Sequence, residues 1–472
     1  MLPDKVRLIL LSSLTLVLLG MIEQFYRYFV QSYYGFTETQ MKPENTLEYA
    51  KQLDTADSLK TFRKRFLFPQ HEGSDCIYFT GNSLGLQPET ARAALIQELD
   101  DWAKWGVEGH FHAKNPWYAY HEMFAEPMAR LVGAHPDEVV AMNGLTTNLH
   151  LLMVSFFRPQ GKRTRILCEA KAFPSDLYAL ESQLIHHGLN PAEHLIALEP
   201  RAGEHTLRTE DVIAAIREAG DSLALTMIGG VNYYTGQVFD IPAITAAAHE
   251  VGALAGWDLA HAAGNIILKL HDWNVDFAAW CTYKYLNSGP GSVSGVFVHQ
   301  RHGHNPEVPR FAGWWGYDKT TRFDMKPGFR PIPGAEGWQL SNAPVFSMAV
   351  YKASLDIFDE AGMPAIRSKS EQLTAYLDFV LQETARAVGN ASFEVITPSG
   401  KEARGAQLSV LVHGAGKWLF DALTQRGVVV DWREPNVIRM APAPLYNSFE
   451  DVFRFGQILT EVLAEAGVKS ES

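Results

Sequence analysis

The chain has 472 residues, 47% of them hydrophobic and 20% charged, which is enough for a large core and two domains. Its formal charge of −12 excludes nucleic acid as the main partner, because phosphate binding needs a basic face. The three cysteines, Cys76, Cys168 and Cys281, show no CxxC or metal-like spacing; this excludes a disulfide framework and fits a reduced, cytoplasmic setting. The 17 histidines include no HExxH, and no metal site is expected.

Residues 1–40 form an anomalous extension. An apolar run from Leu8 to Ile22 follows Lys5 and Arg7. It is shorter than the roughly 18–20 residues of a bilayer span, and no small-x-small cleavage site follows it. Membrane contact through this run is one reading. The favoured one starts synthesis at Met41, where ordinary polar sequence begins. Residues 41–80 then form an N-terminal arm, helical over 41–75. From Ile77 to about Phe329, short apolar runs alternate with helical stretches; the runs fall at 166–168, 223–228, 253–257, 277–280 and 295–298. That pattern predicts an α/β large domain over 81–340, with a mostly parallel central sheet covered by helices. A helix is expected over 347–360. Strands at 407–412 and 428–430 and helices at 418–424 and 451–465 then make a smaller α+β C-terminal domain, 341–472.

Two polar residues end apolar strands. Lys284 stands in Thr282-Tyr283-Lys284-Tyr285, after the run 275–281 and before the turn Gly289-Pro290-Gly291. Desolvation there disfavours the ammonium and leaves a nucleophilic amine able to form a Schiff base. Asp258 ends the run Ala255-Gly256-Trp257. An acid able to pair with a pyridinium nitrogen and a lysine able to form an imine are the two groups a pyridoxal 5'-phosphate site needs most. Either alone is more often a solvated strand end or a helix cap; the order strand-Asp, strand-Lys, glycine-rich turn is what points to the cofactor.

Further segments carry a specific resemblance: Gly81-Asn82-Ser83-Leu84-Gly85, Met142-Asn143-Gly144-Leu145-Thr146, Phe173-Pro174-Ser175-Asp176, Tyr233-Tyr234-Thr235-Gly236-Gln237, Gly313-Trp314, Leu340-Ser341-Asn342 and Ile438-Arg439-Met440-Ala441-Pro442. With the Asp258 and Lys284 segments they resemble kynureninase, a hydrolase of pyridoxal phosphate fold type I, from about Tyr78 to about Phe449. Residues 1–40 have no counterpart in that pattern.

The resemblance implies hydrolysis of L-kynurenine or 3-hydroxy-L-kynurenine to an anthranilate and L-alanine, in tryptophan catabolism and NAD biosynthesis. It implies a homodimer with shared active sites. Lys284 would form the Schiff base, Asp258 would hold the pyridinium nitrogen, and His261 would lie by the ring edge. Leu145, Thr146 and Tyr283 would reach the phosphate, and Tyr283 would also assist proton transfer. Phe173 would stack on the ring, with Ser175 and Asp176 nearby. Trp314 and Asn342 would come from the neighbouring subunit. Arg439 would pair with the substrate carboxylate, His110 would face its aryl ring, and Ser83 would join the substrate site. Gly229 stands where some relatives carry serine, which removes a hydroxyl contact.

Two other functions compete. A cysteine desulfurase-like enzyme of the same fold requires a persulfide-forming cysteine on a loop, and all three cysteines lie in or beside strand patterns. A membrane-tethered, non-catalytic protein rests only on Leu8 to Ile22. The glycine-rich run 289–295 has GxGxxxG spacing and precedes a strand, so the dinucleotide fingerprint fails.

Overall fold

The computed structural model describes residues 42–389, 393–413 and 416–470. The apolar run of the N-terminal extension lies outside them, as does Met41. Among the described residues no helix is long and apolar enough to cross a membrane.

Seven strands form the central sheet: β1 (Val139–Met142), β2 (Arg165–Glu169), β3 (Leu195–Leu198), β4 (Leu223–Gly229), β5 (Leu254–Asp258), β6 (Phe277–Trp280) and β7 (Ser294–Val298). Their spatial order is β1-β7-β6-β5-β4-β2-β3. All neighbours run parallel except β7, which is antiparallel to both β6 and β1. Strands β1, β6 and β7 are buried at every residue. Continuous apolar runs are what a sheet covered on both faces requires. Gly256 is needed where β5 passes the Phe277 ring: a Cβ there would lie 2.2 Å from a ring carbon.

At the foot of the sheet, Asp276 anchors the start of β6. Its carboxylate accepts from the Ala255 backbone N–H (2.7 Å) and pairs with His249 (2.8 Å), His302 (2.7 Å) and Arg301 (2.5 Å). These partners hold its carboxyl far below the usual range against the opposing effect of burial.

A second sheet holds β8 (Phe393–Val395), β9 (Leu408–Val412), β10 (Asp431–Arg433) and β11 (Val437–Met440), in the order β8-β9-β11-β10, all antiparallel. The helix Val345–Ala361 packs its buried Met348, Tyr351 and Leu355 into the core of the central sheet. The helix Met363–Val388 passes from one core to the other: Ile366 belongs to the first, and Leu373 and Leu377 to the second. The second core also takes in Ala50, Ile77 and Phe79 from the N-terminal arm.

The arm is helical only over Leu47–Ala56 and Lys60–Arg65. From Phe66 the chain pairs instead as short strands, Phe66–Leu67 with Gln87–Pro88 and Ile77–Tyr78 with Val428–Val429. The latter pairing takes the run expected at 428–430 out of the C-terminal sheet. Asp54 of the arm accepts from the N–H groups of Phe449 and Glu450, capping the C-terminal helix from a distant part of the chain.

Candidate active site

A cavity of about 360 Å³ lies at the carboxyl ends of the parallel strands, where open α/β sheets bind ligands. Asn143, with φ of 46°, and Gly144 turn the chain from β1 into the helix Leu145–Phe156. Gly144 caps this helix without a side-chain hydrogen bond. A Cβ added there would meet nothing within 4 Å. The first N–H groups, at the positive end of the helix, thus face a cavity lined by Gly144, Leu145, Thr146 and Thr147. This is an anion site by construction. Thr146 Oγ1 and Ser175 Oγ, 2.8 Å apart, join it to the helix Pro174–His186.

Lys284 follows β6, and its Nζ lies 3.0 Å from His261 Nε2 and 5.8 Å from the centre of the Phe173 ring. Phe173 meets Tyr233 edge-on, with centroids 5.3 Å apart. Asp258 ends β5 on the rung shared with Gly229 and Ala279. Its Oδ1 accepts from the Ala260 N–H at 2.7 Å.

Burial governs the electrostatics. Asp176 is hydrogen-bonded to Asp258; burial first, and then the Asp258 charge, push its carboxyl well above the usual range. Burial pushes Glu169 up to about 7, although its carboxylate accepts from the Gly229 N–H at 3.1 Å and 3.3 Å. His261 is driven well below its ordinary value by burial and then by the charges of Lys284 and Arg439. It is therefore neutral and accepts an N–H from Lys284, while its buried Nδ1 has no partner. Burial raises Tyr283, so its hydroxyl keeps its proton.

The cavity thus gathers Leu145, Thr146, Phe173, Ser175, Asp176, Gly229, Asp258, His261, Tyr283 and Lys284. His110, Trp314 and Asn342 line a second cavity of about 450 Å³ with Phe111, Tyr118, Phe323 and Ser341. Trp314, Phe111 and Phe323 are exposed there. Ser83 and Arg439 line neither cavity. Ser83 donates its N–H to Thr80. Arg439, on β11, is bound to Asp431 and to the Tyr233 carbonyl.

Glu169, Thr147, Val231, Ser292 and Ser294 also line the first cavity without having been singled out by sequence, and Tyr233 lines it from a segment quoted only for the resemblance. Glu169 carried a usable signal, since it ends an apolar strand as Asp258 does. Two His/Glu groups among the described residues have donor atoms close enough for a metal. One is a hydrogen-bond chain, with His135 Nε2 3.2 Å from His271 Nε2 and His271 Nδ1 3.0 Å from Glu138. In the other, the Lys319 ammonium sits 2.6 Å from both Glu122 and Glu336. All three cysteines are buried, burial raises their thiols, and none lines the cavity. The persulfide alternative therefore lacks its nucleophile.

The chemistry of this lining fits pyridoxal 5'-phosphate: a helix start with no side-chain cap for a phosphate, an amine, an acid and an aromatic ring on one cavity.

The family model described as the kynureninase C-terminal domain matches residues 366–459. The chain is 58% identical to a kynureninase of Flavobacterium johnsoniae, over 88% of this chain and 98% of that protein. It is 57% identical to a kynureninase of Flavobacterium psychrophilum, over 89% and 99%. Among solved structures, a cysteine desulfurase of Escherichia coli superposes with a TM-score of 0.69 at 17% identity, covering 87% of this chain and 99% of that one, which bears on the fold alone. Identity of this level over nearly the whole length of its relatives shows that the chain belongs to the kynureninase family.

Proposed function

We propose that the chain hydrolyses L-kynurenine, its 3-hydroxy form or both, yielding anthranilate or 3-hydroxyanthranilate plus L-alanine, with pyridoxal 5'-phosphate as cofactor. This places it in tryptophan catabolism leading to NAD. The observation that carries the reading is the convergence of Lys284, Asp258 and the uncapped start of helix Leu145–Phe156 on one cavity, in a chain of this family.

When bound, the cofactor supplies an electrophilic carbon for the substrate amino group and a ring that accepts electrons from bonds broken beside it. The protein supplies placement and protons. The N–H groups at Leu145 and Thr146, with the hydroxyls of Thr146 and Ser175, hold the phosphate. Asp258, with Asp176 beside it, would hold the ring nitrogen protonated, and Phe173 would pack on the ring. Lys284 Nζ would hold the cofactor and would carry the proton from the substrate α-carbon. His261 Nε2, neutral and 3.0 Å from Nζ, keeps a lone pair directed at that amine. Water adds to the substrate γ-carbonyl and its oxygen stays with that carbon as the Cβ–Cγ bond breaks, and Tyr283, protonated at rest, would give its proton to the released β-carbon. Arg439 receives the α-carboxylate.

The same reading makes the enzyme a homodimer. Trp314 and Asn342, with His110 and Ser341, line a separate exposed aromatic cavity. Brought across from a partner, Trp314 and Asn342 would close the substrate site and cover the apolar surface. A large lobe around the central sheet, a small lobe around the second one and a cytoplasmic setting belong to this reading.

The test is the visible spectrum of purified protein, followed by L-kynurenine and then 3-hydroxykynurenine. A cofactor band with release of a fluorescent anthranilate and alanine is expected. A band without turnover of either substrate overturns the reaction; no band after adding pyridoxal phosphate overturns the cofactor site as well.

A further inference from the structure

Arg439 does not stand free. Its guanidinium is 1% exposed and is held by Asp431 and by the Tyr233 carbonyl. Asp431 on β10 and Arg439 on β11 are direct cross-strand partners. A buried guanidinium needs a counter-ion, and here Asp431 is that ion. A substrate carboxylate arriving at Arg439 must therefore displace a carboxylate already in place, and the displaced group needs a new partner. One is at hand. Arg433 lies two residues along β10 from Asp431, on the same face of the strand. Its Nη2 is 3.2 Å from the same Asp431 Oδ2.

The surroundings favour one more anion. Two guanidinium groups share a single carboxylate, so one positive charge is left over. The guanidinium carbons of Arg433 and Arg439 each lie 5.9 Å from the centre of the Tyr233 ring, and Tyr233 lines the cavity. The Nε atoms of both arginines, the Tyr285 hydroxyl and His261 Nδ1 are buried without partners. An incoming carboxylate answers both the charge and the open donors.

We propose that Asp431 is an exchangeable counter-ion, neutralising Arg439 in the substrate-free enzyme and passing to Arg433 when the α-carboxylate of the amino-acid substrate binds. Arg433 is then a positioning residue for that carboxylate, acting through Asp431. The exchange also selects for amino acids, because an amine lacking the carboxylate cannot drive Asp431 off. It rests on the reading of Arg439 as the carboxylate site.

The experiment titrates the holoenzyme with L-alanine, followed by its visible spectrum, and measures L-kynurenine kinetics alongside. Arg433→Gln should weaken L-alanine and raise KM by about tenfold, with the loss falling on KM more than on kcat. Adding Asp431→Asn to Arg433→Gln should recover most of that affinity, since no carboxylate remains to be displaced. A double variant that binds no better than Arg433→Gln overturns the exchange. Arg439→Gln separates the layers: unchanged L-alanine affinity there overturns the carboxylate site and the exchange with it. If the double variant does not fold, Arg433→Gln still decides, because a wild-type KM in that half-exposed position overturns the proposal.

Discussion

Lys284 Nζ and His261 Nε2 sit 3.0 Å apart, with the imidazole buried, neutral and unpaired at Nδ1. The polarity of that contact follows from the protonation state. Burial first, and then the Lys284 and Arg439 charges, keeps His261 neutral, which leaves its Nε2 an acceptor. The histidine orients the amine without competing for its proton.

Replacing His261 by Phe should therefore keep the cofactor but lower kcat roughly 10²-fold, because the amine that moves the proton loses the acceptor that orients it. Stopped-flow measurement of the α-proton step checks this. An unchanged rate would assign His261 to packing.

Lys284→Ala should lower turnover by roughly 10³-fold or more. Borohydride, which fixes cofactor to the wild-type chain, should leave none attached to the variant by mass spectrometry. Substantial residual turnover would remove Lys284 from its role.

Glu169 gives a pH prediction for the cofactor-free protein. Its folded value is about 7 against an ordinary 4.5. A raised acid stabilises the fold below its unfolded value, and the stabilisation is lost as pH climbs from about 4.5 to about 7. The change is about 3 kcal/mol. Denaturant titrations of wild type and Glu169→Gln should differ in slope across that window, and equal slopes would place the ionised carboxylate in the fold.

Asp276 gives the opposite sign. Its folded value is depressed, so its contribution is present above about pH 4 and fades as pH falls further. Asp276→Asn at neutral pH removes the buried charge that His249, His302 and Arg301 share and should cost about 3 kcal/mol, read as a lower denaturant midpoint.

The proposed sharing of sites across a dimer predicts complementation. Lys284→Ala and Trp314→Ala should each be nearly inactive. Unfolding and refolding them together in equal amounts should restore about a quarter of the wild-type sites, because half of the dimers are mixed and each holds one intact site. No recovery would put Trp314 in the same subunit's site.

The α/β class was legible because β4 to β7 are unbroken apolar runs, the pattern of strands covered on both faces. β3 escaped notice: it is an edge strand with Ala197 exposed, and its apolar run Leu195-Ile196-Ala197-Leu198 is only four residues long, too short to tell from the helical stretch before it. β10 and β11 were hidden by Arg433 and Arg439, whose charges break the apolar pattern that would have marked them. At the site, Lys284 and Asp258 stood out as polar residues ending buried strands. Glu169, equally placed, did not, because an acid after a strand is usually a cap and no motif distinguished it. The Asp431–Arg439 pair comes from cross-strand register, which spacing along the chain cannot give. The separation of Trp314 and Asn342 from Lys284 into different cavities is likewise a matter of distance.

The reversed direction of β7 decides how Lys284 is mounted. A parallel β7 would have obliged the chain to leave the ligand-binding edge and cross the sheet before returning. Because β7 runs backward, the segment 281–293 departs from and comes home to the same edge, with Thr282 bonded to the carbonyl of Val293 and Ser288 to Thr282. The lysine therefore rides on a short closed arch with both feet on rigid ground.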